Sequence, residues 1–264
     1  MTIFRAAERR RYERELVEAR AAAERGLQME RATAEIREQF IAVLGHDLRN
    51  PLAGIEAGIR RIQRKGAADA TPAILDLMLK SVKRMQNLIN DVLDLTRSRL
   101  GGGLPVQFEH GRPLGPTLSH IIDELQVANP DRVIDDQFDL SDQVDCDHGR
   151  MGQLLSNLLA NALTHGAQNA PIEVRGTTLE GRFELSVANR GDPIPPAAME
   201  RLFLPFYRGE VRASLNGLGL GLYIASQIAE AHRGTLSATS DSDRTVFTLV
   251  MPARQPREEI SAQI

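Results

Sequence analysis

The 264-residue chain has no tryptophan, one cysteine and an aromatic content of only 4%. A lone Cys146 excludes an internal disulfide and a multi-cysteine metal site, and it suits a reducing compartment. Long hydrophobic runs are missing too. No segment approaches the ~18 apolar residues of a membrane span, and the arginine-rich start lacks the apolar stretch of a secretion signal. These absences predict a cytoplasmic protein with no membrane segment in this chain. Nor is there an excess of positive charge: the net charge of -3 argues against a general nucleic-acid binder, whose footprint is basic. What is present, 42% hydrophobic and 25% charged residues, is the composition of a globular protein with room for one or two sizeable cores.

Residues 5–39 alternate arginine and glutamate over a thin apolar stripe. Tyr12, Leu16, Ala19 and Ala23 follow coiled-coil spacing, as do Met29, Thr33, Ile36, Phe40 and Val43. Joining the two stripes through Gly26 needs two successive steps of three, a stammer that locally overwinds a coiled coil. An exposed, salt-bridged helix with an irregular stripe accounts for the same residues. The helix continues through FIAVLGHDLRNPL, residues 40–52, where Asn50-Pro51 predicts a kink, and on through Ile55, Ile59 and Ile62. The run Lys65-Gly66-Ala67-Ala68-Asp69-Ala70 ends it, and Thr71-Pro72 supplies an N-cap and first-turn pair for a second helix. That helix carries Ile74, Met78, Val82, Met85, Ile89, Val92 and Leu95 at helical spacing. Two long antiparallel helices with one apolar face each bury it by pairing with a second copy, which predicts a dimeric four-helix bundle.

Gly101-Gly102-Gly103, followed by Leu104-Pro105, breaks the helical pattern and marks a boundary. Beyond it, helices are expected over 117–127, 149–165 and 219–231, and strands over 132–140, 172–178, 183–188, 235–239 and 245–250. This order predicts an α/β sandwich.

Three stretches carry chemistry. The first is His46-Asp47, close to the apolar seam of the first helix, where a histidine is either a satisfied buried residue or a displayed nucleophile. The second is Asn-Gly-Leu-Gly-Leu-Gly-Leu at 216–222, opening directly into a helix. Glycines let backbone approach a ligand, and a helix N-terminus favours bound phosphate, although the spacing matches neither a Walker loop nor a dinucleotide fingerprint. The third is Asn157 and Asn161, four apart and so on one helix face. One such asparagine is readily structural; two beside a glycine loop suit carboxamide ligation of a phosphate-bound magnesium ion. Phe203 and Phe206 are explained by local core packing alone.

Taken in order, these stretches resemble the sensor histidine kinases of bacterial two-component systems over residues 34–252. FIAVLGHDLRNPL resembles the H-box, and residues 146–163, with LLSNLLANAL, the N-box region. VANRGDPIP resembles the first glycine box, LFLPFYR the F-box and GLGLGL the second glycine box. The resemblance implies a coiled-coil helix over 1–33, a dimerisation and histidine-phosphotransfer domain over 34–100 and a linker over 101–105. A GHKL (Bergerat) type ATP-binding domain over 106–253 and a tail over 254–264 follow. It implies His46 as phosphoacceptor, Asp47 as the group taking or polarising the proton of the other ring nitrogen, and Asn50 as orienting water for dephosphorylation of a response regulator. ATP and Mg2+ are the implied cofactors, with Asn161 as the metal ligand and Asn157 in support. Asn189, Gly191, Gly217, Gly219 and Gly221 would frame the nucleotide, and Arg208 would contact phosphate. A homodimer and a response-regulator receiver domain are the implied partners. Thr2-Ile3-Phe4 and the helix after it resemble the end of a PAS sensor domain, which implies an upstream sensor.

Three positions depart from the family pattern. Asn189 stands where an aspartate usually accepts the adenine amino hydrogen bond, and a carboxamide accepts it without charge assistance. Pro193 replaces the second glycine of its box, and Thr164 a basic residue. They keep open a non-catalytic dimeric scaffold or phosphotransfer protein with the kinase fold. A third alternative, another ATPase of the superfamily, is disfavoured by the histidine-bearing helices ahead of the nucleotide domain.

Overall fold

The computed structural model describes residue 20 and residues 44–45, 47–64, 72–98, 103–207 and 218–255. The coiled coil with its stammer, His46, the connection at 65–71, Arg208, Gly217 and residues 256–264 lie outside the described residues.

The first described helix, α1, comprises residues 47–64, with Leu44 and Gly45 also helical. Pro51 therefore lies inside a helix. The second, α2, spans Pro72–Arg97 and starts on the expected proline. Small residues bring the two together: a Cβ on Gly54 would lie 3.0 Å from Ser81 Oγ, and one on Gly58 only 2.6 Å from Met78 Cγ and Sδ. As residue numbers rise on α1 they fall on α2, so the hairpin is antiparallel. It leaves Leu52, Ile59, Leu75, Leu77, Leu79, Val82, Ile89 and Leu93 exposed, a large apolar surface for two helices.

The second unit begins with Leu104, which is buried, and a bridge from Glu109 to Cys146. Its elements are α3 (Gly115–Ala128), β1 (Ile134–Asp139), α4 (His148–His165), β2 (Ile172–Leu179) and β3 (Arg182–Asn189). They are followed by a single turn, α5 (Pro196–Met199), then α6 (Gly221–Ala231), β4 (Thr235–Ser240) and β5 (Thr245–Pro252). The sheet order is β1-β2-β3-β5-β4, with β1 parallel to β2 and every other pair antiparallel. Period-two burial explains why one face is covered: Phe183, Leu185 and Val187 of β3 and Phe247, Leu249 and Met251 of β5 point inward, while their neighbours along each strand are more exposed. Met151, Leu154, Leu155, Leu158 and Leu159 give α4 a fully buried stripe against that face, flanked by α3 and α6. The result is the two-layer α/β sandwich expected from the pattern.

Helix α4 is placed at its start by three bonds on Asp147. Its carboxylate accepts from the Arg150 N–H at 3.0 Å as an N-cap and from the Gln107 N–H at 2.9 Å, and its own N–H donates to His232 Nε2 at 3.0 Å. Such a cap is worth about 1 kcal/mol. Beside it, the Gln255 side chain donates to the His232 carbonyl at 2.9 Å, holding the last described residue against the core.

Candidate nucleotide site and the hairpin beside it

The exposed edge of α4 carries Arg150, Gln153, Asn157 and Asn161, spaced three, four and four, so all four share one face. Asn157 is half-buried against the second glycine stretch: a Cβ on Gly221 would lie 3.7 Å from its Cγ and Oδ1. Its Nδ2 is buried without a hydrogen-bond partner. Asn161, one turn on, is half-buried. Helix α6 starts at Gly221 without a side-chain cap, leaving its first N–H groups for a ligand.

The loop entering α6 is fixed by close backbone contact. Gly219 has φ +68°, and a Cβ there would lie 2.9 Å from the Tyr207 carbonyl oxygen and 3.0 Å from Phe206 C. The Phe206 N–H donates to the Gly219 carbonyl at 3.0 Å, and Phe206 itself has φ 64°. Phe206 is buried and Phe203 packs edge-on against Phe247 at 6.4 Å between centroids, so both aromatics work in the core.

At the other end of α4 the end of β3 closes in. The Ala167 N–H donates to the Arg190 carbonyl at 2.6 Å, and a Cβ on Gly191 would lie 2.9 Å from the His165 carbonyl oxygen. Asn189 ends β3, is buried, and donates through Nδ2 to the Arg190 carbonyl at 3.3 Å. Thr164 is exposed, its hydroxyl turned back to the Ala160 carbonyl at 2.7 Å. Thus Asn157, Asn161, Asn189, Gly191, Gly219 and Gly221 are assembled around one helix from three separate stretches of sequence. Asp47 and Asn50 lie on the other unit, on α1. Asp47 is only 2% exposed, whereas Asn50 faces solvent.

These residues fit a magnesium-bound nucleotide. Two carboxamides offer hard oxygen donors, Asn157 places its Oδ1 beside Gly221 while its buried Nδ2 is unpartnered, and an uncapped helix start lies beside it.

Sequence reading gave no sign of a second polar site, where the end of α2 meets the sandwich. Arg150 Nη1 donates to Asp94 Oδ2 at 2.7 Å, and Gln153 Nε2 donates to the same oxygen at 2.9 Å. The Ser98 and Tyr223 hydroxyls are 2.9 Å apart. Asp91, half-buried just before Asp94, has its carboxyl pushed up to about 7 by burial and, second, by the Asp94 charge. Arg150 and Gln153 lie inside the N-box-like stretch, but no local pattern pairs them with a residue more than fifty positions upstream.

Fold and site together define a helical hairpin joined to a nucleotide-binding α/β sandwich. Residues 36–101 match the family model of the His kinase A (phospho-acceptor) domain, and residues 146–255 that of the histidine kinase-, DNA gyrase B- and HSP90-like ATPases. The chain belongs to the sensor histidine kinases of two-component systems. It is 34% identical over 222 residues to a bacteriophytochrome of Pseudomonas aeruginosa, covering 83% of this chain and 30% of that protein. It is 33% identical to the sensor histidine kinase TrcS of Mycobacterium tuberculosis, covering 84% of this chain and 45% of that one. The chain thus spans less than half the length of these relatives. Among solved structures, the Acinetobacter baumannii histidine kinase AdeS matches with a TM-score of 0.59 at 19% identity, over 80% of this chain and 98% of that one. Histidine kinase ThkA, in complex with response regulator protein TrrA, also matches at 0.59, with 23% identity over 85% of this chain and 64% of that one. Both likenesses are of fold. Among the described residues, no helix is long and apolar enough to cross a membrane.

Proposed function

We propose that the chain is the output part of an ATP-dependent protein-histidine kinase, which autophosphorylates His46 and passes the phosphoryl group to an aspartate of a response regulator. The observation that carries this reading is the assembly of Asn157, Asn161, Asn189 and the two glycine stretches around α4, in a chain whose hairpin bears His46-Asp47. Imidazole, with an unperturbed pKa of ~6.5, is largely neutral and nucleophilic at neutral pH. A ring nitrogen of His46 attacks the γ-phosphorus, the bond to the β,γ-bridging oxygen breaks, and ADP leaves. The Asp47 carboxylate takes or polarises the proton on the other ring nitrogen. Little else is required of the protein, because phosphoryl transfer is governed by positioning and charge neutralisation. Magnesium, held through Asn161 with Asn157 in support, would supply part of that neutralisation. Asn189 accepts from the adenine amino group, and Gly191, Gly217, Gly219 and Gly221 let backbone pass close to the nucleotide. Arg208 adds a phosphate contact.

The exposed position of Asn50 on α1 suits it to orient a water against a phosphorylated receiver domain, which would add phosphatase activity. The exposed apolar residues of the hairpin support a homodimer. The response regulator bound to ThkA supports a receiver partner, and the likeness of Thr2-Ile3-Phe4 and the charged residues after it to the end of a PAS domain supports a sensor partner. A cytoplasmic site of action follows from these partners.

Titration of wild type and Asn161→Ala with Mg-ATP, followed by incubation with γ-labelled ATP, tests the reading. Wild type is expected to bind and take up label, and the folded variant to lose both. The exposed Thr164, with its hydroxyl bonded to backbone, favours one competing reading, a scaffold that has lost ATP turnover. Wild type that binds no nucleotide would establish that reading instead.

A further inference from the structure

Arg132 lies just ahead of β1 and is only 8% exposed. Its backbone is held by Gln126, whose side-chain amide donates to the Arg132 carbonyl and accepts the Ile134 N–H at 3.1 Å. The guanidinium reaches the last turn of α4, where Nη1 donates to the Leu163 carbonyl at 3.5 Å. The negative end of a helix welcomes a cation, but that contact uses one nitrogen of three. Nε and Nη2 are buried without a hydrogen-bond partner. A buried donor left unpaired is costly and calls for an explanation.

The surroundings of Nη2 supply one. A Cβ on Gly166 would sit 3.3 Å from Arg132 Nη2 and 3.1 Å from Asn189 Cβ, so guanidinium and carboxamide flank the same glycine. Asn189 also has the Arg190 carbonyl in reach, to which Nδ2 donates at 3.3 Å, a long bond. The side chain thus has an acceptor and an unspent donor for neighbours. In the arrangement seen, Nδ2 is spent on Arg190 and Oδ1 is left to accept, which suits the 6-amino group of adenine. Turning the amide over exchanges the two atoms. A small side-chain movement then brings Arg132 Nη2 to Oδ1, and Nδ2 is left to donate, which suits the 6-oxo group of hypoxanthine or guanine. An aspartate has no such choice, since both oxygens of its carboxylate only accept.

We propose that Asn189, supported in either orientation by the Arg190 carbonyl or by Arg132, lets the site take 6-oxopurine nucleoside triphosphates as well as ATP. The inference rests on the nucleotide-binding reading above and widens it from adenine to a class of purines. Arg132 is a positioning residue, acting on the base only through Asn189. The proposal concerns recognition of the base alone and is independent of how the histidine is reached.

The test uses the full chain as wild type, Asn189→Asp and Arg132→Met, each titrated by calorimetry with Mg-ATP and Mg-ITP in turn. Circular dichroism reports folding. ITP is the cleaner 6-oxo probe because it lacks the 2-amino group of GTP. Wild type is expected to bind ITP within about 10-fold of ATP, since either amide orientation makes its hydrogen bond. Asn189→Asp should widen the preference for ATP by about 10-fold or more, because its carboxylate sets an acceptor against the 6-oxo group. Arg132→Met should weaken ITP several-fold more than ATP, whereas a merely structural arginine would weaken both alike. If Arg132→Met fails to fold, the ratio in Asn189→Asp decides alone. A wild type that prefers ATP by about 100-fold or more, or an Asn189→Asp ratio equal to that of wild type, would overturn the proposal. Equal losses for ATP and ITP in Arg132→Met would overturn the part given to Arg132. Wild type that binds ATP and not ITP overturns this inference alone, and wild type that binds neither overturns the nucleotide reading with it.

Discussion

At the scale of single residues, two positions bind the site to the core in ways a substitution would expose. Gly219 has φ +68° and no room for a methyl group, since its Cβ would press on the Tyr207 carbonyl and Phe206 backbone. Gly219→Ala is expected to cost about 1–2 kcal/mol from the left-handed backbone alone, with the clash added. Calorimetry should show a lower Tm and weaker ATP binding together. His232 is fully buried, with one ring nitrogen bonded to the Ile228 carbonyl at 2.8 Å and the other accepting the Asp147 N–H at 3.0 Å. That arrangement is complete only for the neutral ring. Burial accordingly lowers its pKa from the ordinary 6.5. In the unfolded chain the ring protonates as pH falls through 6.5, while in the folded chain it resists, so its stabilisation is full above that value and lost as pH drops. Unfolding followed from about pH 7.5 to 5 should show this decline. In His232→Gln the slope should flatten, at a cost of about 1–3 kcal/mol near neutrality for disturbing a satisfied polar group.

Elements follow from periodicity, and here the sequence was most informative and also misled in one respect. The strands and helices of the sandwich fall within a few residues of the expected ranges, because alternation and 3.6-residue periods are local properties. The single turn α5 was not foreseen, since four residues carry no period. On α2 the expected apolar face ran through Ile74, Met78, Val82, Met85, Ile89, Val92 and Leu95, but the structure splits it. Val82 and Ile89 are 39% and 53% exposed, on a separate heptad-spaced stripe with Leu75, Leu79 and Leu93, while Leu88 and Leu95 are buried. A linear stripe cannot distinguish a face turned toward α1 from one turned toward a second copy. Burying an Ile or Val is worth about 1.5–3 kcal/mol each, so Val82→Asp with Ile89→Asp should convert the proposed homodimer to monomer in sedimentation without unfolding the sandwich. Gly58 reports on the other face. A Cβ there would sit 2.6 Å from Met78, and Gly58→Val should destabilise the hairpin by about 1–3 kcal/mol through overpacking, read as loss of helical signal at lower temperature.

For the whole molecule, motif order was legible and relative placement was not. Asn157, Asn161, Asn189, Gly191 and the 216–222 stretch each carried a local signal, and their order along the chain was enough to expect that they meet. The junction of Asp94 with Arg150 and Gln153 carried none, because side chains from separate units leave no periodicity when they meet. The account's central claim joins the two units: nucleotide held around α4 is delivered to the histidine borne by the hairpin. The measurement that tests it most directly is incubation of wild type and His46→Gln with Mg-ATP labelled at the γ-phosphate, followed by acid and base treatment of the labelled protein. The account predicts label in wild type that is labile to acid and stable to base, as phosphohistidine is, and no label in His46→Gln. Label that persists in His46→Gln, or that survives acid, would contradict it.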